Sequence, residues 1–133
     1  MSFLLERLVK KVPGTHSALL LSTDGLRESW YGIGDDDADH LAAIASGVCS
    51  MAQAVGTGFS PVPEDGLRQM IVELQGLVMF VTAPAERTVL AVLANPQVDA
   101  KAVSYEMGRL STQLRQQLAT PARDDGPAQM GTR

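Results

Sequence analysis

From Leu41 to Pro63 the chain contains no Asp, Glu, Lys, Arg or His. That excludes an ordinary solvated surface helix, which buries one stripe and keeps charge on the other. Cysteine is almost missing too: Cys49 stands alone, so no disulfide forms within the chain, and a reducing cytoplasm is the expected setting. Positive charge is sparse and scattered. Eleven Lys and Arg against fifteen Asp and Glu leave a net charge of −4, and Lys10-Lys11 is the one adjacent basic pair. Nucleic acid is therefore not an expected partner, because phosphate neutralisation needs a concentrated basic surface. The N-terminal Met1-Ser2-Phe3-Leu4-Leu5-Glu6-Arg7 lacks a basic lead and an apolar run of signal length, so no export is expected.

Catalytic sets are missing as well. His16 and His40 belong to no ligand-spaced cluster, and zinc needs about four converging ligands. Cys49 in an apolar helix predicts a raised pKa and an inert thiol. There is no G-x-S-x-G elbow, and neither Gly32-Ile33-Gly34 nor Gly56-Thr57-Gly58 leads into a phosphate-binding G-K-[ST]. The acidic run Asp35-Asp36-Asp37-Ala38-Asp39 lacks the alternating ligands, central Gly and closing Glu of a calcium loop. It is expected just before a helix, where carboxylates complement the macrodipole by about 0.3–1 kcal/mol each. No active site, metal or cofactor emerges.

What is there is an unusual helix. On a wheel of 3.6 residues per turn over Asp39–Gly56, residues Leu41, Ile44, Ala45, Val48, Met51, Ala52 and Val55 form one wide apolar face. Ala43, Gly47, Ser50 and Ala54 form a second stripe of small side chains. Ala42, Ser46 and Gln53 remain for a weakly polar strip. A mid-helix Gly costs about 1 kcal/mol relative to Ala, so Gly47 needs a packing reason. Small residues one turn apart let two helices approach closely. Three readings stand: pairing with a second subunit, packing under another element of the same chain, or a membrane span. The domain is too small to cover such a helix all round, which favours the subunit. A span needs about 20 predominantly apolar residues, and Ser46, Ser50, Gln53 and the glycines interrupt this one.

Around it the pattern is regular. Ser2 caps a short helix closing at Pro13-Gly14, with Leu4, Leu5, Leu8 and Val12 inward. Ser17–Ser22 and Leu26–Gly32 form a hairpin about Thr23-Asp24-Gly25. After a loop over Gly56–Pro63, the runs Leu67–Leu74, Leu77–Ala83 and Arg87–Ala94 form an antiparallel meander. Asn95-Pro96 signals the last helix, burying Val103, Met107, Leu110, Leu114 and Leu118. One domain is expected over residues 1–120, and a disordered tail over 121–133. The fold class is α+β: a five-stranded, mainly antiparallel sheet flanked by helices in the order α-β-β-α-β-β-β-α.

That order, with several phrases, resembles the roadblock (dynein light-chain roadblock) family and its profilin-like sandwich. The carrying residues are Val12-Pro13-Gly14, Leu20–Leu26, Asp37–Gly47, Gln69–Leu74, Leu90–Ala94 and Val103–Met107. The chain is similar to the actinobacterial branch, small proteins that accompany a Ras-like GTPase and a sensor-kinase-like protein. The resemblance implies a homodimer whose central helices pair and whose sheets join edge to edge through the third strand. It further implies a platform for a small GTPase, with no catalytic motif to carry over. The expected dimer interface is Ala43, Gly47, Ser50 and Ala54 with Gln69, Ile71 and Glu73 on the edge strand. Ser46 and Gln53 are the expected partner-binding residues. The competing reading is a small-molecule sensing domain of a bacterial signalling system, since compact α+β sheets often enclose ligands. Direct membrane insertion is not expected.

Overall fold

A computed structural model of the chain describes residues 1–63 and 66–119. Its elements are α1 (Ser2–Lys11), β1 (Thr15–Ser22), β2 (Arg27–Tyr31), α2 (Asp35–Phe59), β3 (Met70–Glu73), β4 (Val78–Ala85), β5 (Thr88–Ala94) and α3 (Ala100–Ala119). The five strands form one sheet in the order β2-β1-β5-β4-β3, and every neighbouring pair is antiparallel. The expected fold is thus the observed one. The expected tail over residues 121–133 and the side chain of Leu118 lie outside the described residues.

Strand alternation builds two cores. Leu19, Leu21, Met79, Val81, Val89 and Ala91 face one side of the sheet, where Ala38, Leu41, Ala42, Ala45 and Val48 of α2 cover them. Leu20, Val78, Phe80, Leu90 and Val92 face the other, beneath Leu4, Leu5 and Leu8 of α1 and Val103, Met107, Leu110 and Leu114 of α3. Central strands buried on both faces need near-continuous apolar runs, which is why β1, β4 and β5 scarcely alternate in sequence. Each large side chain so buried contributes about 1.5–3 kcal/mol relative to exposure. The result is three layers, with α2 alone on one face.

Four local expectations are corrected. Ser2 does not cap α1 but is its first residue, behind Met1, with no side-chain capping bond. The acidic run does not precede α2; Asp35, Asp36 and Asp37 form its first turn behind Gly34. Gly56–Phe59 is not loop but the last turn of α2, closed by the Ser60 N–H donating to the Gly56 carbonyl at 3.0 Å. Asn95-Pro96 does not open the last helix. The Asn95 side chain accepts the Gln97 N–H at 3.0 Å in a local turn, and Asp99 caps α3 by accepting the N–H groups of Lys101 and Ala102 at 3.1 and 3.2 Å.

Candidate partner interface

α2 is anchored at its start. Arg27 on β2 reaches Asp39 with Nε at 2.6 Å and Asp35 with Nη1 at 3.5 Å, and its guanidinium lies 4.2 Å from the Trp30 ring centroid. Two of the four acidic side chains are therefore committed to holding helix against sheet. Among the described residues no three His, Cys, Asp or Glu converge to hold a metal. Midway along, the Ser46 hydroxyl donates to the Thr23 carbonyl at 2.8 Å, tying α2 to the β1–β2 turn.

The helix buries Ala38, Leu41, Ala42, Ala45 and Val48. This stripe is rotated from the expected one. Ala42, assigned to the polar strip, is fully buried, whereas Ile44, Met51 and Val55, assigned inward, face out. They join Ala43, Gly47, Ser50 and Ala54, all exposed. Met51 is 63% exposed and Phe59, at the end of the helix, 87%. A Cβ added at Gly47 would meet nothing within 4 Å. The small stripe therefore does not pack beneath another described element of this chain. α2 is long and apolar enough to cross a membrane by length and composition. One side of it, however, is the lid of a sheet core, and a span would have to abandon that contact.

The outward surface is thus an apolar strip without a charged residue beyond His40. Single exposed apolar residues need no explanation, but an apolar strip running from Ala43 to Phe59 makes this face the candidate interface. Sequence reasoning found the small stripe and missed Ile44, Met51, Val55 and Phe59 as its companions. The available signal was the spacing of Ala38, Leu41, Ala42, Ala45 and Val48, which fixes the inward face once the helix begins at Asp35.

β3 supplies a second open feature. It bonds β4 on one side, and its other edge is unpaired among the described residues. Ile71 and Glu73 oppose Phe80 and Val78, so they share the sheet face of α1 and α3. Gln69 precedes the strand and is exposed.

Gln53 lies exposed at the rim of a cleft of about 800 Å³ between α2, the segment after it and the β4–β5 turn. Thr23, Cys49, Leu67 and Arg87 also line it. Burial pushes the Cys49 thiol pKa up, away from a reactive thiolate.

The Roadblock/LC7 domain family model matches residues 2–94. A Roadblock/LC7 domain from Streptomyces avermitilis superposes with a TM-score of 0.85 at 42% identity, covering 90% of this chain and 98% of that one. Myxococcus xanthus MglB superposes at 0.79 with 18% identity, covering 89% and 94%. Profilin IB of Acanthamoeba castellanii shares the architecture at 0.61 and 12% identity, covering 87% and 97%. No curated protein matches the chain.

Proposed function

The chain belongs to the Roadblock/LC7 domain family, and from that premise we propose a non-enzymatic homodimeric scaffold that binds a cytoplasmic Ras-like small GTPase and modulates its nucleotide cycle. One observation carries the reading: the outward face of α2 is apolar, small-featured and uncovered. The family resemblance implies that such helices pair across a twofold axis while the sheets join through β3. In that arrangement Ala43, Gly47, Ser50 and Ala54 form the helix contact, and Gln69, Ile71 and Glu73 flank the joined edge. Ile44, Met51 and Val55 enlarge the buried strip.

Paired helices present a platform for the GTPase, with Gln53 at its surface. Ser46 contributes through its position, since its hydroxyl is engaged with Thr23. Among the described residues no arginine stands beside a phosphate cradle, so modulation works by ordering the GTPase's own residues. A sensor-kinase-like protein is a further partner of the same complex.

The test is a pull-down with the GTPase encoded beside this protein, loaded in turn with GDP and a GTP analogue. Nucleotide-dependent capture supports the scaffold; equal absence of capture in both states contradicts it. The cleft beside Cys49 and Gln53 favours one other reading, a small-molecule sensor. A rise in melting temperature with one metabolite of a panel, with no response to any GTPase, would select it.

A further inference from the structure

Charge is segregated across the sheet. Arg7, Lys10, Lys11, Lys101, Arg109 and Arg115 lie on α1 and α3 against Glu6 and Glu106, six cations to two carboxylates. α2, on the opposite face, carries Asp35, Asp36, Asp37 and Asp39 and no Lys or Arg. A chain of net charge −4 therefore carries net +4 on these two helices, and net +2 on that side once Asp99 at the α3 cap and Glu73 on the same sheet face are counted. The two layers are separated by about 20 Å of packed structure, beyond the Debye length of about 8 Å at physiological salt. At the basic surface the acidic layer is screened.

Arg7, Lys10, Lys11 and Arg109 converge at α1, while Arg115 is turned away to donate to the Pro84 carbonyl at 3.1 Å. Lys10 meets Glu6 at 2.6 Å, and Lys11 and Arg109 share Glu106 at 3.5 and 3.7 Å. Arg7, between them, has no carboxylate partner among the described residues. Phe3 stands one turn before Arg7 on the same outward stripe and is 61% exposed. Phe3, Glu6, Arg7, Lys10 and Lys11 line one shallow, open depression. Leu4, Leu5 and Leu8 are spent on the core, so the helix itself cannot leave the sheet.

We propose that the outer face of α1, extended by α3, docks this protein on an anionic lipid surface. Cations at a surface meet lipid phosphates, and an exposed aromatic beside them enters the headgroup boundary. An acidic protein would satisfy Arg7 and Lys10 equally but would have to bring a matching pocket for Phe3, whereas a bilayer supplies phosphates and an apolar boundary together. The inference does not depend on the scaffold reading. Pairing through α2 and β3 would set both α1 faces on the same side of a joined sheet, doubling the basic surface and leaving the helix pair facing away.

Flotation of the full chain with phosphatidylcholine vesicles, alone or with an equal share of phosphatidylglycerol, tests it. The protein is expected to float with the anionic vesicles alone and to be released by added salt. Arg7→Gln with Lys10→Gln should lower partitioning about tenfold or more. Phe3→Ser should lower it by a smaller factor, and Arg68→Gln, near the sheet's far edge, should leave it unchanged. Equal recovery with both vesicles, binding insensitive to salt, or an unaffected R7Q/K10Q variant overturns the proposal. Failure on every vesicle with salt-sensitive binding of polyglutamate overturns it in favour of an acidic protein partner. Should a variant melt early, the salt titration and lipid comparison on the unsubstituted chain decide.

Discussion

Gly32 leaves β2 with φ +89, and a Cβ there would overlap the carbonyl oxygen of His16. Neither the conformation nor the space admits a side chain, so Gly32→Ala should destabilise by about 2 kcal/mol or more in urea denaturation. Gly76→Ala, where an added Cβ meets nothing within 4 Å, should stay within about 0.5 kcal/mol. Arg27 is the other residue on which local order turns. Arg27→Ala removes the pairs to Asp35 and Asp39 and the Trp30 stack, and should cost about 1 kcal/mol by thermal melting. Cys49 has its thiol pKa raised by burial. Alkylation of native protein at neutral pH should therefore be slower than in denaturant. The same shift has a sign at alkaline pH: the unfolded thiol ionises first, so stability falls as pH rises through its ordinary value. A flat alkaline profile unchanged by Cys49→Ala would contradict this.

At the scale of the element, α2 shows what a sequence can and cannot announce. Missing charge from Leu41 onward announces that α2 has no ordinary solvated face. It does not announce which apolar face the sheet takes. Ala is at home in a core or a contact, so Ala42 went inward and Ile44 outward against the expected phase. The C-terminal turn was hidden because Gly56, Thr57 and Gly58 are poor helix formers, yet the preceding turns carry the helix through Phe59. The Arg27 clamp was invisible for another reason: it joins residues that only the folded hairpin brings together. Gly47→Leu should abolish pairing, seen as a halved mass in light scattering, because two helices can no longer approach at that position. It should leave the monomer's melt little changed, since the added side chain enters open space within the chain. An intact dimer in Gly47→Leu would remove the small stripe from the interface.

For the whole molecule, length and strand patterning were enough to give the element order and the three layers. The third strand was expected at an edge and lies at one; that β1, β4 and β5 are central and β2 the other edge emerged only with the fold, though the apolar runs of the central three agree with it. Partner-facing residues were legible less well, since a monomer's sequence states which groups avoid water but not what covers them. The layered charge, +4 on α1 and α3 themselves against −4 on α2, was likewise scattered along the chain and gathered only by topology. The uncovered strip of α2 is expected to find a second copy. Sedimentation equilibrium of the full chain at micromolar concentration measures that directly. It should return a single species of twice 14.2 kDa. A stable species of 14.2 kDa with no tendency to associate would contradict the account.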